Sequence, residues 1–266
     1  MRLMKARDHR HLRMERAPVD NGTGEPPPRH HHQRMADKLV LGSDAIARGE
    51  CNWKQLGRKF QPIYRNVYLP LGVELTAETK AHAAWLSTGA TLAGLSAAAI
   101  YRTKWIDADR PAEIVRPDRH HQPGMISHSW TLNDGEIWVR NGMRVTTPVR
   151  TAFDVGRCQR GDDAIVLLDA LLSATRLGPA TVADFAATKR GQRGVRRLLA
   201  ALELVDAGAE SPQETKVRLV LVRGGFPPLQ TQLPDLGYRL DMGWRKWKVA
   251  VEYDGRHHFA DARQIE

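Results

Sequence analysis

The sequence lacks the features that mark secreted and membrane proteins. It has two cysteines in 266 residues, Cys51 and Cys158, which have no metal-like spacing and no obvious partner. A reduced, cytoplasmic setting is therefore the simplest prediction. No stretch approaches the roughly 18 apolar residues of a membrane span, and the charged first residues, MRLMKARDHR, do not form a hydrophobic signal. The sequence thus predicts no membrane partner.

Positive charge is what the chain has in excess. The 40 Lys and Arg residues outnumber the 30 Asp and Glu residues, which gives a formal net charge of +10 and a pI near 9.9. This balance favours a polyanionic partner. The length is sufficient for one to three domains with a substantial core.

Changes in composition divide the chain into segments. Residues 1–34 contain a proline run, a histidine run and scattered arginines, which predicts a disordered tail. Met35 begins a more ordinary sequence and is an alternative start of the protein. Gly and Ser punctuation at 208–211 marks the start of a C-terminal domain. We therefore expect an α+β multidomain protein with the segments 1–34, 35–75, 76–207 and 208–266.

The segment 35–75 has the predicted order helix, turn, helix, wing. Ser43 and Asn52 are good N-caps for two short helices, and the stretch PIYRNVYLP alternates like a strand with a turn at Arg65 and Asn66. This order outlines a winged helix-turn-helix. Basic residues on or near the second helix either contact phosphates or solubilise an exposed face; they are Lys54, Arg58 and Lys59.

The segment 76–207 is predicted to contain helices around a β-rich stretch. Two helices are expected at 77–87 and 91–101, strands between 112 and 147, and an all-helical stretch after that. Asn141 and Gly142 predict a type I′ hairpin turn in the β-rich stretch. His128 has no evident acidic or cysteine partner in the neighbouring sequence, so we expect it at the surface or in packing.

Two motifs of this segment are distinctive, GLSAAAIY at 94–101 and TTPVRTAFDVGR at 146–157. Together with the helix-turn-helix and wing outline, they resemble the AbiEi-type antitoxin family over about residues 36–200. In that family the winged helix binds DNA, often as an autoregulator. The resemblance implies a DNA-targeting or interaction module without an enzymatic role.

The C-terminal segment begins with a capped helix. Ser211 as N-cap, Pro212 at the first helical position and Glu214 at the third form a capping box by sequence, and the helix is expected to stop at the glycine pair 224–225. Two short strands are predicted within PPLQTQLPDLGYRLDMGW and a third within KWKVAVEYDG.

Acidic residues lie on the last two predicted strands. Glu252 and Asp254 share one face of their strand because successive side chains alternate. A short connection allows an antiparallel hairpin in which Asp241 approaches Glu252. Like charges near 4 Å repel by about 4 kcal/mol at an effective dielectric of roughly 20, so converging carboxylates favour a bound cation. Mg²⁺ (or Mn²⁺) suits such a site because it takes carboxylates, waters and phosphate oxygens.

This arrangement resembles the PD-(D/E)xK nuclease superfamily, and more closely its branch of endonuclease-like proteins related to very-short-patch-repair nucleases. The resemblance covers about residues 208–266 and rests on Glu214, Gln230, Asp241 and the stretch VEYDGRHHF. It implies a restriction-endonuclease-like α/β domain that hydrolyses DNA phosphodiester bonds with Mg²⁺. The metal ligands would be Asp241, Glu252 and Asp254.

Two departures from the superfamily pattern shape the expectation. A lysine normally stands where this chain has Asp254, so His257 or His258 is expected to serve as general acid or to position water, as in the repair branch. Lys248 is another candidate because it shares strand parity with Glu252. The superfamily core also continues further than this chain, so we expect an incomplete domain: either the sequence is truncated, or a protein partner or a second copy completes the fold.

These patterns together predict a cytoplasmic, metal-dependent DNA endonuclease with an N-terminal DNA-targeting module. The alternative is an AbiEi-like DNA-binding transcriptional regulator or antitoxin with a degenerate nuclease-like tail. The expected catalytic residues are Glu214, Gln230, Asp241, Glu252, Asp254, His257 and His258.

Overall fold

The protein has a mixed α+β architecture, as expected from its sequence. The computed structural model describes residues 2–5, 39–118, 122–235 and 238–253. Within these ranges the strands form sheets of three, five and four strands, separated along the chain by helices.

The first unit is a helical pair followed by a small sheet. Its elements are β2 (Val40–Leu41), α1 (Gly42–Ala47), α2 (Trp53–Lys59), β3 (Phe60–Tyr64) and β4 (Val67–Pro70). The side chain of Asn52 accepts a hydrogen bond from the Gln55 amide, and the Gln55 side chain accepts one from the Asn52 amide, which confirms the predicted cap of α2. Strands β3 and β4 are antiparallel and meet at a turn in which Asn66 has a φ of 62°.

The predicted N-cap at Ser43 is wrong by two residues. Helix α1 begins at Gly42 with Leu41 as N-cap. Ser43 instead contacts the β3–β4 turn: its amide donates to Asn66 Oδ1 at 2.8 Å, and the Asn66 amide group donates to Ser43 Oγ at 2.8 Å. The serine therefore ties the first helix to the turn of the hairpin.

The second unit contains the five-stranded sheet. Its elements are α3 (Ala77–Thr88), β5 (Thr91–Leu92), α4 (Gly94–Ile100), β6 (Ala112–Val115), β7 (Met125–His128), β8 (Ile137–Arg140) and β9 (Met143–Thr146). The strand order is β7-β6-β5-β9-β8, with β5–β9 and β6–β7 parallel. Asn141 and Gly142 have φ of 50° and 79° between β8 and β9, which confirms the predicted hairpin turn.

The predicted helix over 91–101 is wrong in its first turn. Thr91 and Leu92 form the central strand β5, in which Leu92 lies opposite both Ile114 and Val145. Helix α4 begins only at Gly94, whose φ of 50° turns the chain out of the sheet. Residues 91–92 form a strand because they pair with β6 and β9, which are distant in sequence.

Four helices complete this unit and cover its core. They are α5 (Pro148–Cys158), α6 (Gly161–Thr175), α7 (Pro179–Thr188) and α8 (Val195–Leu202). Their apolar faces pack with α3, α4 and the sheet in one large cluster that contains Leu92, Phe153 and Leu168. Burial of these side chains stabilises the folded state by roughly 25 cal/mol for each Å² of apolar surface removed from water.

The C-terminal unit is a helix against an antiparallel sheet. Its elements are α9 (Pro212–Arg223), β10 (Gln230–Asp235), β11 (Tyr238–Trp244), β12 (Val249–Glu252) and the N-terminal strand β1 (Arg2–Lys5). The order is β1-β12-β11-β10. Leu219 of α9 joins the large core, whereas Leu221 packs with Met242, Trp244 and Val251, so one helix contributes to both cores.

Strand β1 corrects part of the predicted disordered tail. Arg2–Lys5 pairs antiparallel with β12, with Arg2 opposite Glu252 and Lys5 opposite Val249. Backbone pairing there satisfies the amides and carbonyls of an edge that would otherwise be open. The rest of the segment 1–34 lies outside the described residues.

No single helix in the described ranges is both long and apolar enough to cross a membrane. Helices α6 and α7 meet the requirement only as a pair, and that pair is bent by 108° at its break.

Candidate functional site

The β11–β12 hairpin brings two predicted site residues together. Met242 lies opposite Val251 and Gly243 opposite Ala250, so the same register places Asp241 opposite Glu252. The Tyr253 amide donates to Asp241 Oδ2 at 2.9 Å, which fixes the Asp241 carboxylate at the end of β12. Directly opposed residues in such a pair have Cβ atoms about 4.5–5.5 Å apart.

The close pairing of these strands depends on Gly243. A Cβ at this position would collide with the Val249 carbonyl oxygen and the Ala250 backbone. On the buried side, Met242 and Trp244 pack with Val251, and the Trp244 indole donates to the Pro227 carbonyl at 2.9 Å. Leu240, Met242 and Trp244 alternate with Asp241 and Gly243 along β11, so the apolar face anchors the strand while Asp241 stays partly exposed.

Helix α9 supplies Glu214, which is 8% exposed. Its Oε2 accepts from the Glu210 amide at 2.8 Å and from Gln232 Nε2 at 3.3 Å. Ser211 accepts from the Glu214 amide at 3.1 Å, which is one half of the predicted capping box. In a full capping box the Glu214 carboxylate would accept from the Ser211 amide. Here it accepts from the Glu210 amide, one residue before the N-cap.

Gln232, and not the predicted Gln230, meets the acidic residues. Gln230 is exposed and lies opposite Gly243. Gln232 lies between the pairs Thr231–Met242 and Leu233–Leu240, which places it opposite Asp241. Its φ of 53° marks an irregularity in β10, and its side chain reaches Glu214. Both glutamines have the same strand parity, so only the register with β11 distinguishes them.

The remaining predicted site residues have different outcomes. Asp254, His257 and His258 lie outside the described residues. Lys248 is exposed in the turn before β12 with a φ of 52°, so it does not share the strand with Glu252 as predicted. Across the part of the chain that the structure describes, no group of three His, Cys, Asp or Glu side chains is arranged to hold a metal ion.

A buried carboxylate of α6 joins the second unit to α9. Asp169 is 1% exposed and accepts three hydrogen bonds: from the Asp206 amide at 2.7 Å, from Thr215 Oγ1 at 2.9 Å and from Arg218 Nη2 at 2.8 Å. Burial raises the pKa of Asp169 to about 6, although the charge of Arg218 opposes the shift. Thr215 is adjacent to Glu214, so this cluster fixes the first turns of α9.

The same cluster extends to β10. The Asp206 carboxylate accepts from Thr231 Oγ1 at 3.1 and 3.2 Å and from the Gly208 amide at 2.9 Å. Glu214 is next to Thr215, which bonds Asp169, and Gln232 is next to Thr231, which bonds Asp206. Both residues of the Glu214–Gln232 contact are therefore positioned by the second unit. The sequence offered little signal for this connection because Asp169 occurs within an apolar helix far from the C-terminal segment.

The motif TTPVRTAFDVGR forms a buried ionic network along α5. Arg150 is 1% exposed and donates to Asp154 Oδ2 at 2.8 Å and to Glu136. Arg157 donates to Asp154 Oδ1 at 2.8 Å, and Lys189 donates to Glu136. Burial alone would raise the pKa of Glu136, but the hydrogen bonds and charges of Lys189 and Arg150 hold it below its ordinary value.

His128 has the acidic partner that its sequence neighbourhood did not suggest. Its Nε2 lies 2.8 Å from Oε2 of buried Glu113, and its ring stacks on Trp130 with centroids 3.6 Å apart. The other Glu113 oxygen accepts from the Leu95 amide at 3.0 Å. The Arg157 guanidinium lies over the Trp130 ring, with its Cζ 4.2 Å from the ring centroid. These contacts are explained by packing around α4 and α5.

The predicted nucleic-acid residues are together on α2. Lys54, Arg58 and Lys59 are exposed, and none has an ion-pair partner in the described ranges. Lys54 and Arg58 are four residues apart and therefore share a helix face. Trp53, which the sequence analysis did not single out, is 65% exposed at the start of the same helix. The Asn52 cap was the signal that places it there.

Comparison with known proteins gives two relatives, both from Mycobacterium tuberculosis. Uncharacterized protein Rv2248 of strain H37Rv and Uncharacterized protein MT2308 of strain CDC 1551 are each 33% identical to this chain over 119 residues. The matched part is 43% of this chain and 44% of each relative, so the match spans less than half of the relatives' length. No family model and no solved structure matches the chain.

Proposed function

We propose that the protein is a metal-dependent DNA endonuclease that hydrolyses phosphodiester bonds, targeted by an N-terminal winged helix-turn-helix. The observation that supports it most is the row formed by Gln232, Asp241 and Glu252 across three adjacent strands, with Glu214 reaching Gln232 from α9. Acids gathered at one end of a sheet are costly unless a cation accompanies them.

The donor set fits Mg²⁺ or Mn²⁺. Asp241 and Glu252 supply carboxylate oxygens from neighbouring strands, and Mg²⁺ is usually held by one or two carboxylates with waters and substrate phosphates completing the shell. Bound there, the ion would supply Lewis-acid stabilisation of phosphate charge and lower the pKa of a water. In the same proposal Asp254 is a further ligand, and His257 or His258 is the general acid that donates a proton to the leaving oxygen.

The other residues of the site hold this arrangement in place. The Tyr253 amide orients Asp241, and Gln232 and the Glu210 amide orient Glu214. Glu214 then positions a water or accepts its proton. Fixed hydrogen-bond donors of this kind reduce the reorganisation that a reaction requires.

DNA targeting is assigned to α2 and the β3–β4 wing. The exposed cations Lys54, Arg58 and Lys59 suit phosphate contacts, and exposed Trp53 offers an aromatic face beside them. A cytoplasmic location is part of the proposal because Cys51 and Cys158 are free thiols.

The test is DNA cleavage by the full chain with and without Mg²⁺ or Mn²⁺. We expect cleavage that chelation abolishes and that Glu252→Gln lowers by at least about 100-fold, since even partners outside a metal's ligand shell account for 10–100-fold. Asp184→Asn, an exposed acid of α7, is the matched control and should leave the rate unchanged. Absence of metal-dependent cleavage on double-stranded, mismatched and single-stranded DNA would overturn the enzymatic proposal.

A second candidate is a DNA-binding regulator with a degenerate nuclease-like tail. The exposed basic face of α2, with its reciprocal Asn52–Gln55 cap, favours it independently of the C-terminal acids. Operator binding that persists in Asp241→Asn and Glu252→Gln, without cleavage by the unmodified protein, would favour this function over the nuclease.

A further inference from the structure

The segment that runs from the end of α7 into the first turn of α8 concentrates positive charge. Residues 189–197, KRGQRGVRR, contain five cations and no acid. This one segment therefore carries a charge equal to half of the net +10 of the whole chain. A cluster of this density is expensive to hold together in a folded protein unless its charges are paired or fully hydrated.

Two of the five cations anchor this segment. Lys189 donates to Glu136, which also belongs to the buried network of Arg150. At the other end, the Arg197 guanidinium donates to the Arg157 carbonyl at the end of α5. Both ends of the segment are thus bonded to the same buried region.

The backbone between these anchors has a defined shape. The Gln192 amide donates to the Lys189 carbonyl at 3.2 Å, and the Val195 amide donates to the Gln192 carbonyl at 3.3 Å. Gly194 has a φ of 91° and lies so close to the Arg157 carbonyl that a Cβ would collide with it. From Val195 onward the apolar side of α8 enters the core, which leaves the segment fixed on its inner side.

The other three cations face outward without partners. Arg190, Arg193 and Arg196 recur at every third position, and each is exposed. In the described ranges none of them makes an ion pair or side-chain hydrogen bond. Guanidinium groups present planar pairs of N–H donors that match phosphate oxygens in a bidentate manner. We call these three residues the arginine triad.

We infer that the arginine triad binds the phosphodiester backbone of double-stranded DNA, independently of base sequence, as a second contact besides α2. Between Lys189 and Arg196 the exposed side chains are cationic or amide, because Val195 is buried. Leu199, one turn further along α8, is 40% exposed. The buried core of a protein–protein interface is more apolar than the rest of the surface, whereas phosphate contacts are made by Arg, Lys and backbone amides. This inference rests on the proposed DNA-directed function and adds where the middle of the chain meets the duplex.

The test is the salt dependence of DNA affinity, measured by fluorescence anisotropy on a random-sequence duplex with a chelator present to prevent cleavage. The variant replaces Arg190, Arg193 and Arg196 by Ala in the full chain. Its matched control removes three other exposed cations, Lys104, Arg176 and Lys216. Each lost phosphate contact reduces the slope of log affinity against log salt by about 0.9, so loss of the triad should reduce it by up to roughly 2.7 units.

The outcomes separate this inference from the proposed function. A smaller slope for the triad variant than for the control supports the inference. Equal slopes for triad and control variants overturn it, and a loss confined to a Lys54, Arg58 and Lys59 variant then leaves DNA targeting by α2 standing. If the unmodified chain does not bind DNA at any salt concentration, both the proposed function and this inference are wrong. Thermal melting of each variant confirms that the exposed replacements leave the fold intact.

Discussion

The acids around α5 and the acids of the C-terminal sheet differ in the groups that face them. Asp154 is held between Arg150 and Arg157, and Glu136 between Arg150 and Lys189. In the C-terminal sheet, Asp241 accepts from the Tyr253 amide; on α9, Glu214 accepts from the Glu210 amide and Gln232. Neither Asp241 nor Glu214 forms an ion pair with another described residue.

Under the proposed function, this difference separates acids that stabilise the fold from acids that bind a cation. A buried carboxylate matched by arginine is neutralised inside the protein, and it has no capacity left for an external cation. Asp241 and Glu214 are instead held in position by amide groups. The first arrangement therefore suits the core of the middle unit, and the second suits a metal site.

Removing Arg150, the cation shared by Asp154 and Glu136, is expected to lower the stability of the fold the most. Arg150→Ala leaves Asp154 and Glu136 without their shared buried partner, and breaking a buried pair in this way costs about 3–5 kcal/mol. We expect a loss of this size in the free energy of unfolding, measured by urea denaturation. Arg193→Ala, which removes an exposed arginine, should change it by no more than about 0.5 kcal/mol. Equal losses in the two variants would show that the network does not carry the stability assigned to it.

An intermediate effect is expected at the glutamines of β10. Gln232→Ala removes the side chain that bonds Glu214 and lies opposite Asp241, so the rate of metal-dependent cleavage should fall about 10–100-fold. Gln230→Ala is an ideal control because it changes the same residue type on the same strand at an exposed position. A larger loss in Gln230→Ala would restore the assignment made from sequence.

The smallest effect is a pH dependence at the junction between the two units. The pKa of Asp169 is raised to about 6, above the value near 3.9 of an unfolded aspartate, so the folded protein binds more protons between about pH 4 and 6. The contribution of Asp169 to the free energy of unfolding therefore rises as the pH falls through this window, by at most about 1.4 kcal/mol per pH unit.

Comparison with Asp169→Asn isolates this contribution, since asparagine does not titrate. In denaturation experiments, the free energy of unfolding of the original protein minus that of the variant should increase as the pH is lowered from about 7 to 4. A difference that shrinks over this range would mean that Arg218 lowers the pKa of Asp169 instead of burial raising it.

Local signals predicted much of the fold. Asn52 caps α2, and Asn141 with Gly142 forms the β8–β9 turn, because both features depend only on neighbouring residues. The three C-terminal strands were also predicted, since their apolar residues alternate. Thr91–Leu92 was assigned to a helix because its strand partners Ile114 and Val145 are distant in sequence.

The candidate site was predictable in outline and not in its details. The pairing of Asp241 with Glu252 follows from a short connection between two strands, and the structure has that register. The choice between Gln230 and Gln232 depends on an irregular residue with a φ of 53°, which no periodic pattern specifies. The hydrogen bonds of Asp169 required the packing of α6 against α9, which only the folded chain brings together.

We propose that Asp241 and Glu252 form a divalent-cation site. Calorimetric titration with Mn²⁺ measures this binding. The full chain is used because the hydrogen bonds of Asp169 to Thr215 and Arg218 tie α9 to the second unit. We predict that the unmodified protein binds Mn²⁺ and that Asp241→Asn weakens this binding at least about tenfold without changing the melting temperature. Equal affinity of the two proteins for Mn²⁺ would contradict the account.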